Sequence, residues 1–480
     1  MTSRQHAADS GALAAAEALR ARVGDIPIDV NADAVAASSI DTYWKAKALA
    51  AAGRPYLAEA VVRPRTAEEV ARVLAAATEA GVIVTPRAGG SGSQGGAVPD
   101  RGGVVLDTSA LDQILELDEV SQTVRVQAGV QGLALEEWLN ARGYTFPHFP
   151  ASVHLARVGG YLSAKGSGVL STKYGKIEDL VASMEVALPT GELIRTLAVP
   201  RHSVGPDLNQ VFIGSEGTMG VITEATLIIK ALPEKHAFRL YSFPDIPSAL
   251  TAVRRSIQSG WRPCMVRVYD PDATEANLRR VLDLDITGVQ VIMGYDGPGA
   301  LVDLESAAVE AEFVACGATV GDHAIADAWW ENRYKIYYPP YRPELPSIWG
   351  TADIVATHDK ILPAYEALRV FFRTAFPDND VWFGGHFSHW YAWGAMVYGR
   401  FTVRRPPADL DDSIKLYDEI WRRSSEIVLA HGALLNDHHG VGLKLADDVA
   451  RQWGPAWQVV ERIKDVLDPA RISNPGKLGL

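Results

Sequence analysis

The stretch PRAGGSGSQGGAV, Pro86 to Val98, contains Gly90-Ser91-Gly92-Ser93-Gln94-Gly95 and so fits the spelling G-x-G-x-x-G. In a dinucleotide-binding βαβ unit that spelling must open a helix, because the pyrophosphate sits on the helix N-terminus. Here the chain continues GGAVPDRGGVVLDTSAL, with Pro99, Gly102 and Gly103 ahead of the apolar run Val104 to Asp107. That run reads as a strand. Upstream, VIVTP (Val82 to Pro86) reads as a buried strand as well. The glycine loop therefore joins two strands, and context argues against the Rossmann assignment that the spelling invites. Glycine and serine amides can still curl into a concave nest of N–H donors for an anion. The competing reading is a surface loop without a ligand.

Neighbouring segments bear on that choice. Thr66-Ala67-Glu68-Glu69 has the form of a capping box, and Val70, Val73, Leu74 and Ala77 follow at i, i+3, i+4 and i+7. Together they predict a helix with one buried face, ended by Gly81. TVRVQAGV (Thr123 to Val130) alternates as a strand, and Leu133 to Tyr144 follows as a helix. MEVALPTGELIRT (Met184 to Thr196) reads as a hairpin turning at Pro189-Thr190-Gly191. Two further stretches dense in glycine and small residues surround it, FPASVHLARVGGYLSAKGSG and GPDLNQVFIGSEGTMGVITEATL. Three glycine-rich turns separated by strands suit a long ligand approached by backbone at several places.

Composition bounds the rest. A chain of 480 residues suggests two domains or more, and 48% hydrophobic content allows a substantial core. With 46 Lys and Arg against 58 Asp and Glu, the net charge of -12 argues against nucleic acid as the main partner. Two cysteines, Cys264 and Cys316, exclude a disulfide framework and fit a reduced cytoplasm. No apolar run approaches the ~18 residues of a spanning helix. The N-terminus lacks a signal-peptide core, since Glu17 and Arg20 interrupt its alanines; residues 10–23 read as a short helix capped by Ser10.

Taken in order, the segments from about Val62 to Lys230 resemble the FAD-binding domain of the vanillyl-alcohol oxidase and p-cresol methylhydroxylase (PCMH-type) superfamily. The resemblance implies that TPRAGGSGS holds the FAD pyrophosphate through Pro86, Arg87, Ala88, Gly89, Gly90, Ser91, Gly92 and Ser93. It implies that the second segment lines the flavin with Pro150, Ala151, Ser152, Val158, Gly159, Gly160, Ala164, Ser167, Gly168, Tyr174 and Gly175. The closing motif GSEGTMGVITEATL would add Glu216, Gly217, Gly220, Val221 and Ile222. Members with covalent flavin often carry a histidine where this chain has Ser91, or a cysteine in the second loop. Neither is present, so noncovalent FAD is expected.

Two C-terminal segments, HFSHWYAWGAMVYGRF (His386 to Phe401) and NDHHGVGLKL (Asn436 to Leu445), most resemble the alkyldihydroxyacetonephosphate-synthase-like branch of FAD-linked oxidases. That branch has a tyrosine at the position of Tyr398 and three histidines where this chain has Asp437, His438 and His439. Arg342 of YRPEL resembles the arginine that contacts the substrate's acidic head group, on a looser match. Tyr398, His438, His439 and Arg342 are therefore the candidate catalytic residues. A tyrosine at pKa ~10 is a poor base unless cations lower it, and the other three are the candidates for doing so. His386 and His389, with Asp437, His438 and His439, also supply enough ligand atoms for a metal. His438 stands where metal-using members have a glutamate, and HFSHWY replaces their HAGDGN pattern, so no metal is expected.

The implied fold class is α+β: a PCMH-type FAD-binding domain of two α+β subdomains plus a capping substrate domain, an antiparallel sheet flanked by helices. The expected division is a helical extension at 1–55, the FAD domain at 56–232, the cap at 233–430, and a segment at 431–480 returning to the FAD domain. RPCMVRVYD, GVQVIMGYDG, TADIVATH and GAMVYGRF are the candidate cap strands. Aspartate at position 437 removes a cation that a phosphate substrate would need, and the tryptophan-rich middle suits an aromatic or apolar substrate body. The expectation is an FAD-dependent oxidase or dehydrogenase taking a hydride from a small-molecule alcohol or 2-hydroxy acid. O2 and a redox partner both stay open as its electron acceptor, and a homodimer is expected. The alternative is a synthase-like transferase forming an ether-lipid precursor with the flavin as covalent catalyst.

Overall fold

The computed structural model describes residues 14–338 and 342–480. Residues 14–23 are helical, and the expected cap at Ser10 lies outside the described residues. The helix predicted after Thr66 spans Ala67–Ala80. Thr66 Oγ1 accepts the N–H of Glu69 at 3.2 Å. Glu69 reaches one residue beyond a capping box, accepting the N–H of Arg65 at 2.6 Å. Val70, Val73, Leu74 and Ala77 are fully buried, and Gly81 ends the helix at φ 65°.

This helix covers a four-stranded sheet ordered Ile28–Asp29, Ala60–Val62, Val104–Asp107, Val84–Arg87. The last three strands are parallel. Ile28–Asp29 joins antiparallel, so the segment before residue 56 adds a strand beside its helices Ala32–Ser38 and Trp44–Ala51. Parallel neighbours are usually joined through a crossover helix. Residues 88–103 contain none, and the glycine loop runs from strand to strand. A second, five-stranded antiparallel sheet is ordered Ile114–Asp118, Thr123–Gln127, Val221–Ile228, Val181–Ala187, Leu193–Arg195. Its last pair is the predicted hairpin.

The third sheet has eight antiparallel strands, ordered Thr319–Val320, Lys235–Phe243, Val289–Gly297, Met265–Tyr269, Val381–Tyr391, Gly394–Val403, Ile348–Thr357, Leu434–Leu435. Side chains alternate between the faces of a strand. Val266, Val268, Phe383, Phe387, Val397, Phe401, Ala352 and Ile354 enter one core with helices Ile246–Gln258, Gly299–Ala315, His358–Thr374 and Leu410–Ala430. The alternate positions carry Arg267, Thr351, Asp353, His386, Ser388, Tyr398 and Arg400. One face is thus an apolar bed for helices; the other carries these polar residues beside an apolar patch of Phe238, Leu240, Met265, Tyr269 and Ile292, and faces the FAD domain. Among the described residues no helix is long and apolar enough to cross a membrane.

Candidate active site

The three glycine segments converge. A Cβ on Gly89 would overlap the carbonyl of Leu155, and one on Gly217 would lie 2.8 Å from Pro86. Gly160 sits against Ala88. At Gly89 and Gly217 only a residue without a side chain permits such approach. Gly90 also has φ 60°, a conformation glycine adopts without cost. The N–H groups of Gly89, Gly90, Ser91, Gly92 and Ser93 find no acceptor among the described residues. Five successive unpaired donors on a cleft wall form the concave nest that suits an anion.

Pro86 to Ser93, Pro150 to Ser152, Gly159, Gly160, Ala164, Ser167, Gly168, Glu216, Gly217, Val221 and Ile222 line one cleft of about 340 Å³. Val158, Tyr174, Gly175 and Gly220 lie elsewhere. Val158 is buried in the FAD-domain core at the start of helix Val158–Ser163. The Tyr174 hydroxyl donates to Asp296 Oδ1 at 2.9 Å, tying the loop to the cap sheet. Gly175, at φ 83°, turns the chain against Asp179, and Gly220 packs on Val186. Small or apolar residues inside a glycine-rich motif look alike in sequence whether they face a ligand or the core.

Tyr398, His438, His439 and Arg342 line the same cleft. The Tyr398 ring stacks on His386 at 5.1 Å and lies 5.5 Å from His439 and 6.0 Å from His438. His439 Nδ1 is 3.0 Å from Asp353 Oδ1. His438 Nδ1 and His389 Nδ1 approach Asp437 Oδ2 at 3.1 and 2.8 Å. Lys176 Nζ is 3.6 Å from the other oxygen of Asp437. His389 would alternate to the helix side, but a register shift with φ 50° keeps it on the cleft wall. Such bulges re-aim side chains.

Burial would raise both aspartates, yet their partners prevail. Lys176 and the paired histidines hold Asp437 well below the carboxylate range, and His439 does the same for Asp353. Ionised carboxylates only accept, so each paired Nδ1 carries a hydrogen. Burial, then His439, hold His438 down at about 3 although Asp437 opposes them. Burial also pushes Tyr398 well above 10, with Tyr337 and Asp353 adding to it. The sequence expectation that cations lower Tyr398 is therefore corrected: it is a neutral hydroxyl. Arg267 faces His386 Nε2, and Arg342 lies over Trp349 at 4.3 Å.

A family model described as "FAD binding domain" matches residues 58–197, and "FAD linked oxidases, C-terminal domain" matches residues 232–478. The chain belongs to the FAD-linked oxidase family. The alkyldihydroxyacetonephosphate synthase of Trypanosoma brucei brucei is 29% identical over 453 residues, 88% of this chain and 73% of that protein. Glycolate oxidase subunit GlcD of Bacillus subtilis is 31% identical over 428 residues, 88% of each. The fold is that of p-cresol methylhydroxylase with substrate bound, at TM-score 0.77, 17% identity, and 98% and 97% coverage.

The cleft of this FAD-linked oxidase fits the cofactor its family model names. The unpaired loop amides suit a pyrophosphate, and the crossings at Gly89 and Gly217 leave no room for side chains. Several residues of the site escaped the sequence reading: Arg267, Arg333, Arg400 and His148, which line the cleft, and Asp353, buried beneath His439. A signal for three of them existed, since Arg267, Asp353 and Arg400 interrupt otherwise apolar strands at alternate positions. His148 is buried with neither ring nitrogen hydrogen-bonded among the described residues.

Glu216 lines the cleft, but its carboxylate accepts the N–H groups of Val441 and Gly442 at 2.6 and 2.8 Å. It anchors the loop that carries His438 and His439. Replacing Glu216 with Ala strands two buried donors, and each such loss costs about 1–3 kcal/mol. The Glu216→Ala apoprotein should lose about 2 kcal/mol or more, read as a lower thermal midpoint; an unchanged midpoint removes the anchor role.

Proposed function

We propose that this FAD-linked oxidase takes a hydride from an alcohol or 2-hydroxy acid whose anionic group is held by Arg267, Arg333, Arg342 and Arg400. The observation that supports this reading most is a cationic wall with donors to spare. All four arginines line the cleft, and Nε of Arg267, Arg333 and Arg400 is buried without an acceptor among the described residues. Buried cations are stable only when paired, so an anionic substrate completes the site. Tyr334, Tyr337 and Trp329 on the same wall enclose its body.

FAD held noncovalently by the glycine loop supplies the hydride acceptor. His438 Nε2 takes the hydroxyl proton as the substrate C–H bond breaks and its C–O bond becomes a carbonyl. Asp437 holds His438 in the tautomer this requires, and the neutral Tyr398 hydroxyl donates a hydrogen bond to the substrate oxygen. His389, Asp437 and His438 also place three ligand atoms within 4.8 Å of one another. Lys176 already neutralises Asp437, which favours a proton-carrying cluster over a metal.

The same arginines suit the phosphate of a transferase substrate, and one experiment separates the readings. Yellow protein is mixed anaerobically with 2-hydroxy acids, anionic alcohols and their neutral esters. Bleaching of the visible flavin band by an acid but not by its ester is expected. Ether product without net bleaching indicates the transferase, and no response to any anionic hydroxy compound overturns the proposal.

A further inference from the structure

The matched FAD-binding segment begins at residue 58, yet the glycine loop is held by residues well upstream of it. The Thr42 N–H donates to Gly92 O at 2.9 Å, and the Thr42 hydroxyl donates to the same oxygen at 2.8 Å. That hydroxyl is also 3.3 Å from Ser91 O. Arg87, at the root of the loop, returns a bond from Nη1 to Ile40 O at 2.7 Å. Asp41, between them, is buried and accepts the Tyr43 N–H at 2.8 Å. Ile40 to Thr42 thus form a strap across the loop.

The strap is firmly rooted. Tyr43 packs so closely that a Cβ on Gly95 would lie 3.0 Å from its ring. Trp44 Nε1 donates to Ser347 O at 3.0 Å, and the Trp44 ring stacks on Tyr417 at 4.8 Å. Both aromatic residues belong to the core of the eight-stranded domain.

Peptide geometry gives the strap a consequence for binding. In a trans peptide the C=O and N–H of one plane point in opposite directions. Drawing Ser91 O and Gly92 O toward Thr42 therefore turns the N–H groups of Gly92 and Ser93 away from it. These are two of the five loop donors without an acceptor among the described residues. A glycine-rich loop left to itself would sample many orientations of these peptides.

We infer that Ile40 to Thr42 are a working part of the cofactor site, and that Thr42 is a positioning residue for the pyrophosphate cradle. The inference rests on the family's FAD reading and assigns a role to a segment outside the matched domain. The test titrates wild-type, Thr42→Val and Thr42→Ser apoproteins with FAD and with ADP, which has the pyrophosphate but no flavin ring. Valine keeps the shape and main-chain bond of threonine and removes only the hydroxyl.

FAD and ADP should each bind about 3- to 10-fold more weakly to Thr42→Val, the scale of one lost hydrogen bond. Serine should restore both affinities, and apoprotein unfolding should be unchanged. Unchanged affinity in the valine variant overturns the inference. So does a loss that serine does not rescue, or one matched by an equal loss of apoprotein stability. Wild-type uptake of FAD tests the cofactor reading, while the variant-to-wild-type ratio tests the strap, so the two fail separately.

Discussion

A Gly90→Val variant is expected to purify without FAD. Gly90 holds φ 60°, and a left-handed conformation costs an L-residue roughly 1–2 kcal/mol. A β-branched side chain adds stiffness at χ1. Its Cβ would overlap the Arg87 guanidinium, whose bond to Ile40 O secures the strap. Relief requires the loop to turn, which redirects the unpaired amides that suit the pyrophosphate. Strain and lost anion contacts together should weaken FAD by ~10²-fold or more, at about 1.4 kcal/mol per tenfold. The measurement is the flavin-to-protein absorbance ratio after gel filtration. Ser91→Ala is the control, because only the main chain of Ser91 is asked to serve the ligand. A fully yellow Gly90→Val protein would place the pyrophosphate elsewhere.

The His438→Asn variant should keep its FAD and lose most of its rate of flavin reduction by substrate. A positioned general base contributes ~10²–10⁴-fold, and asparagine has no titratable nitrogen. Stopped-flow reduction should therefore slow by at least ~10²-fold at unchanged flavin content. The pH profile has a defined sign. A base works in its deprotonated form, and His438 is held at about 3, far below the ordinary 6.5. The wild-type rate should be flat from pH 8 to pH 5 and fall only on further acidification. A fall centred near pH 6.5 would show an ordinary exposed histidine acting instead. Reduction of His438→Asn at the wild-type rate would remove His438 from the chemistry.

Much of the fold was legible because its signals are local. The helix at Ala67–Ala80 declares itself through spacing and a cap, and the hairpin around Gly191 through alternation and a turn. The strand Val381–Tyr391 was missed as a strand, since Gly384, Gly385 and two histidines mask its alternation and a bulge at His389 breaks it. Lys235–Phe243 was also missed. In the site, Tyr398, His438, His439 and Arg342 were found through resemblance. Arg267, Arg333 and Arg400 come from separate strands and a helix–loop junction, and nothing local in sequence brings them together.

By itself the sequence determined that a glycine loop joins two strands without a helix, because proline and glycine forbid one there. It also determined the order of the three glycine-rich segments and the strand that carries Tyr398. Tertiary structure alone decided which alternate face meets the FAD domain, and so which polar residues share a cleft. It decided that Tyr398 is neutral and His438 uncharged, because protonation depends on burial and on neighbours far away in the chain. It decided, too, that Thr42 reaches Gly92. The physical reason is range: dihedral preference and periodicity act within a few residues, whereas desolvation, charge pairing and close backbone approach arise only once distant segments pack.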